Sequence, residues 1–226
     1  MYGLDIILLL AGLLIAVIAQ LYVSSSFSKY KKVQNSKAIS GFEVAKTILE
    51  NNGLSDLYVT ETKGVLSDHY DPTRKVIRLS TDIFHGTTIA SASVAAHEVG
   101  HAIQDKVGYS FMRIRAALFP LVKIASFAGY FAILIGVIAE MLELIWLGIG
   151  LEIIILLFQL VTLPVEFDAS KRAKVELKKL NLVTDKELIG ADKMLKAAAY
   201  TYVASVVTTL LQIVRLVLIY GSRRDW

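Results

Sequence analysis

The chain has 226 residues, of which 55% are hydrophobic and 19% charged, with a formal net charge of +4 and no cysteine. Soluble domains use about 45–50% apolar and about a quarter charged residues, so this excess, gathered in long apolar runs, predicts an integral membrane protein. The missing thiols exclude disulfides, thiolate metal ligands and a cysteine nucleophile; so small a charge, with no basic stretch interleaved with aromatics, excludes nucleic acid as a partner.

The first apolar run is Ile6 to Val23, with Asp5 before it and Lys29, Lys31 and Lys32 behind it. A cleaved signal peptide carries its positive charge in front. The reverse order here predicts a retained anchor whose following residues face the cytoplasm. Residues 24 to 115 are mixed in character. "SGFEVAKTILENNGL" (40–54) predicts a helix capped by Ser40 and stopped by Gly53. Strand-like pieces follow at Leu57–Thr60 and Lys75–Leu79, with turn signals at Lys63-Gly64 and Asp71-Pro72. A further helix opens near Gly86–Thr88 and runs to about Lys106.

Within that helix lies "AAHEVGHAIQ". Residues four apart share a helix face, so His97 and His101 can present ring nitrogens to one point, as tetrahedral Zn²⁺ requires. A catalytic zinc acidifies water to a pKa of about 7, and Glu98, projecting from the same side, is placed to take that proton. The three fixed positions of this HExxH pattern seldom occur by chance. Two satisfied histidines in a packing helix would be the bland alternative, but they leave an ionised glutamate buried among Ala, Val and Gly at high cost.

Two more apolar runs follow, Ala116–Ala139 and Leu144–Leu163, each with a polar intruder (Lys123, Glu152), and Leu163-Pro164 is expected to close the hairpin. Two crossings return the chain to the membrane face it left. The first acid there is Glu166, which makes it the preferred third ligand over His69, His85 and the other carboxylates. Asp168 either orients a ligand histidine or pairs with Lys171 or Arg172. Residues 165–196 read as a charged amphipathic region, and Ala197–Tyr220 as a last span interrupted by Arg215, with Arg223 and Arg224 behind it.

The ordering expected is an anchor (1–23), a cytoplasmic catalytic region (24–115), a transmembrane hairpin (116–163), a cytoplasmic helical region with the third ligand (164–196), and a C-terminal apolar helix and tail (197–226). The fold class is a mainly α membrane protein with about four transmembrane helices and a small β-sheet.

The anchor, "LSDHYDPTRKVIRLS", "AAHEVGHAIQ" and "LPVEFDASKRA" together resemble the YugP-type family of bacterial membrane zinc peptidases, and more distantly the HtpX-type gluzincin proteases. The resemblance implies a cytoplasmic gluzincin-like α+β peptidase domain in a multi-pass protein of the bacterial cell membrane. It implies one catalytic Zn²⁺ held by His97, His101 and Glu166, Glu98 as general base, and polypeptide substrates, membrane proteins among them. Gluzincins place an Asp four residues after the ligand Glu to orient a histidine; here that place holds Ser170, and Asp168 lies about 200° around the helix from Glu166. Gluzincins also bind peptide as an added strand. By that likeness Arg74, Lys75, Val76, Ile77, Arg78 and Leu79 form the substrate edge strand. His69 and Tyr70 are candidate oxyanion donors or turn anchors. Two other readings compete: an intramembrane zinc protease, and a non-catalytic zinc-stabilised scaffold or chaperone, which would have no use for Glu98. The sequence does not specify an oligomeric state.

Overall fold

The structure is a computed structural model and describes residues 2–221; Arg223 and Arg224 lie outside the described residues. The protein is mainly helical. In chain order the elements are α1 (Tyr2–Tyr30), α2 (Gly41–Asn51), β1 (Tyr58–Thr62), β2 (His69–Asp71), β3 (Val76–Ser80), α3 (Thr81–His85), α4 (Ile89–Lys106), α5 (Ser110–Ile138), α6 (Leu142–Lys179) and α7 (Asp185–Tyr220). They divide into two compact units: residues 1–20, 111–163 and 200–226 form one, and residues 21–110 and 164–199 the other.

In the first unit, four helices (α1, α5, α6 and α7) contribute stretches long and apolar enough to cross a membrane. Large side chains such as Leu13, Phe119, Phe127 and Ile138 are at least 60% exposed, which water would penalise and lipid does not. The buried positions of α5 are Ala125, Gly129, Ala132 and Gly136, a stripe of small residues at helical spacing. Such stripes let apolar helices approach backbone to backbone; a Cβ on Gly136 would come within 2.9 Å of the Ile145 nitrogen on α6.

Pro164, expected to close the hairpin, instead lies inside α6. A helical proline forfeits one backbone hydrogen bond, whereas a break beside an apolar run strands several backbone groups. Continuing the helix is the smaller cost.

The second unit is built around α4. Its Ala90, Ala92, Ala95, Ala96, Val99 and Ala102 are essentially inaccessible, packed among Val44 and Ile48 of α2, Ile77 and Leu79 of β3, Ile83 of α3 and Leu177 of α6. Burying each of the Val, Leu and Ile side chains contributes about 1.5–3 kcal/mol. Local signals agree with these elements. Ser40 and Glu43 form a reciprocal capping box at the start of α2, and the Thr88 side chain accepts from the Ser91 N–H to cap α4.

The sheet corrects one expectation. Its strand order is β1-β3-β2, with β1 parallel and β2 antiparallel to β3. The segment Arg74–Leu79 therefore supplies the central strand and no free edge: β3 is hydrogen-bonded on both sides, and Val76, Ile77, Leu79 and Ser80 are buried. The reason lies in the connection between the two strand-like pieces. Residues 63–75 fold back as β2, which the Asp68 carboxylate pins by accepting from the Ser80 N–H (2.7 Å) and hydroxyl. Burial raises the Asp68 carboxyl above its ordinary value despite these bonds.

Candidate metal centre

The HEVGH segment forms the middle of α4, and the helix it meets is the part of α6 just beyond Pro164. Gly100 makes the meeting possible: a Cβ there would lie 2.5 Å from the Ala169 carbonyl oxygen. With hydrogen in that place the two backbones touch, and the side chains flanking Gly100 and Ala169 converge. One ligand atom from each of His97, His101 and Glu166 lies within 4.8 Å of the others. Glu166 Oε2 is 3.3 Å from His97 Nε2 and 3.7 Å from His101 Nε2, and all three side chains are largely buried.

The outer nitrogens of both rings are engaged elsewhere. His101 Nδ1 meets Gln104 Oε1 at 3.0 Å, and His97 Nδ1 meets the Ser170 hydroxyl at 3.2 Å. Gln104 Nε2 donates to the Val165 carbonyl (2.7 Å) and to Asp168 Oδ2 (2.9 Å), so its oxygen must face His101. His101 Nδ1 then donates to Gln104, and Nε2 is the ring nitrogen that faces Glu166. Burial would raise the Glu166 carboxyl, but hydrogen bonds from His101 and His97 and their charges hold it far below the usual carboxylate range. Burial lowers His101, yet Glu166, then Glu98 and Gln104, bring it above the ordinary imidazole value. The pocket thus favours a positive charge between three inward-facing donors. Two imidazoles and a carboxylate, with the distal nitrogens tied, suit Zn²⁺ with a fourth position left open. Glu98 is buried beside them on α4 and, among the described residues, makes no hydrogen bond or ion pair.

The other sequence candidates are placed as follows. Asp168 accepts from Gln104 and from Arg172 Nε (2.5 Å) instead of from His97 or His101. Ser170 lies four residues after Glu166, and its hydroxyl touches His97. His69, on β2, donates from Nδ1 to the Ser67 carbonyl at 2.8 Å, and the Tyr70 hydroxyl donates to Asp105 at 2.9 Å. His85 lies in α3 with Nε2 3.3 Å from Glu61. Gln104 was not singled out by sequence reading. The available signal was its place three residues after His101, on the same helix face.

A paired-histidine helix, an inward carboxylate from a second helix and apolar segments of membrane length define a class: membrane-associated zinc metallopeptidases. The family described as "Putative neutral zinc metallopeptidase" matches residues 5–221, and the chain belongs to it. Within that class it is of the YugP type. "Putative membrane protease YugP" of Bacillus subtilis (strain 168) is 44% identical over 220 residues, covering 97% of this chain and 98% of that protein. No solved structure matches the chain.

Proposed function

We propose that the protein is a zinc-dependent endopeptidase that cuts membrane or membrane-proximal polypeptides, with a gluzincin-like catalytic unit facing the cytoplasm. The observation carrying this reading is the convergence of His97, His101 and Glu166 ligand atoms within 4.8 Å, beside a buried Glu98 that makes no hydrogen bond among the described residues. His97, His101 and Glu166 would hold the ion. Zinc, when bound, supplies Lewis acidity toward a water and toward the scissile carbonyl oxygen. Glu98 accepts a proton as the water oxygen bonds to the carbonyl carbon, then passes it to the departing amide nitrogen as the C–N bond breaks. Gln104 and Ser170 hold the two rings in one orientation through this exchange. The lysines that follow the apolar part of α1 support the cytoplasmic assignment.

The test compares zinc content and casein cleavage in detergent-purified protein. Glu98→Gln is expected to retain zinc and lose turnover, and Glu166→Ala to lose most of the zinc. Equal turnover by Glu98→Gln and the wild type would end the peptidase reading. A cysteine placed at position 37 tests the orientation: labelling by an impermeant reagent from outside intact cells would invert it.

A further inference from the structure

We propose that Gln104 is the positioning residue that sets the spacing between the histidine pair on α4 and Glu166 on α6. The inference rests on the zinc-site reading above.

Gln104 is fully buried, and its amide is divided between the two ligand-bearing helices. On the α4 side, Oε1 accepts from His101 Nδ1; on the α6 side, Nε2 donates to the carbonyl of Val165, the residue directly before Glu166, and to Asp168. Asp168 is held in turn by Arg172 one turn further along. One rigid planar group therefore grips a ligand ring and the backbone turn from which the third ligand projects. An amide is the group this place requires, because it joins an acceptor to two donors back to back. A glutamate at 104 would still accept from His101, yet would turn an acceptor toward two more acceptors, the Val165 carbonyl and the Asp168 carboxylate. A leucine would fill the space and leave the His101 N–H, the Val165 carbonyl and Asp168 without this partner. The Ser170–His97 contact, at 3.2 Å, orients only one ring and makes no comparable bridge between the helices.

The role concerns metal geometry, so the readout is zinc binding. The full chain, purified in detergent and stripped by chelator, is titrated with zinc against a competing chromophoric chelator, and the cobalt-substituted form is recorded by visible absorption. Gln104→Leu and Gln104→Glu are expected to weaken zinc binding by about 10–100-fold, the range for partners that orient metal ligands. Gln104→Glu combined with Asp168→Asn exchanges acid and amide at constant net charge. In that pair the new amide on α6 can donate to the new carboxylate on α4 and turn its oxygen toward Arg172, while the Val165 carbonyl still faces an oxygen, so the double variant is expected to recover part of the lost affinity. A general loss of packing would not be reversed by that exchange. Zinc binding by Gln104→Leu within about twofold of wild type would overturn the inference. So would a double variant no tighter than Gln104→Glu, a comparison that stands even if the leucine variant fails to fold. If the wild type binds no zinc, the metal reading fails and takes this inference with it. If it binds and the variants bind equally, only the inference fails.

Discussion

Replacing Gly100 by alanine sets two effects of opposite sign against each other. In a helix interior alanine is favoured over glycine by about 0.8–1.0 kcal/mol, so propensity alone would stabilise α4. The added Cβ, however, would stand 2.5 Å from the Ala169 oxygen and 3.1 and 3.2 Å from the carbonyl carbon and Cα of the same residue. All three are backbone atoms, and no side-chain rotation relieves them. Ordinary contact begins near 3.4 Å, so α4 and α6 must part by roughly 0.9 Å at this point. Overpacking of this kind costs about 1–3 kcal/mol. His101 follows Gly100, and Glu166 lies three residues before Ala169, so the displacement falls on the proposed ligands, where metal distances tolerate about 0.2 Å. The clash outweighs the propensity gain, and Gly100→Ala should weaken zinc binding at least about tenfold, equivalent to about 1.4 kcal/mol. The assay is competitive zinc titration with thermal unfolding of the stripped protein alongside. Gly150→Ala is the control, since nothing lies within 4 Å of a Cβ there. Wild-type zinc affinity together with a raised unfolding temperature for Gly100→Ala would refute the close-approach argument.

Two further outcomes follow from contacts in the second unit. Tyr70→Phe should change kcat by no more than about threefold, because that hydroxyl is committed to Asp105; loss of a true oxyanion donor costs about 10²–10³, and a fall of that size in casein turnover would reassign Tyr70. Glu187 accepts from the Thr184 and Ser36 N–H groups at the start of α7. Burial would raise its carboxyl, but these bonds and the two hydroxyls hold it below its ordinary 4.5. A carboxyl lowered on folding stabilises above its unfolded pKa, and that stability is lost as pH falls through the folded pKa. Glu187→Ala should therefore cost about 1 kcal/mol at pH 7, with the gap in unfolding temperature from wild type closing below about pH 4.5 in a detergent melt series; a gap that widens in acid would contradict the contacts.

Much of this was legible in the residues because the relevant signals are local. Four apolar helices announce themselves by length and composition, and HEVGH declares a shared face by its own spacing. Glu166 was reachable by counting crossings, a topological argument that needs no distances. What escaped were facts set by partners distant in sequence. The alternation of "RKVIRLS" suits a one-sided strand, but whether a strand is central depends on what docks beside it, here β1 and the short β2. Pro164 carries a helix-breaking signal that its apolar neighbourhood overrides. Gln104 looks like any helix glutamine until Val165 and Asp168, some sixty positions away, are brought against it.

The polar ridge His97, His101 and Gln104 also restricts how this protein can change. All three belong to two turns of a single helix, and each extra or missing residue between them would swing everything downstream by about 100°. The interval from 97 to 104 thus behaves as a fixed ruler, intolerant of any insertion or deletion. Variation in length can be absorbed only where the backbone is free of that count, as in the turn between β1 and β2. Grafting such a centre onto another scaffold would mean transplanting the ruler whole, together with the stretch of α6 that it measures against.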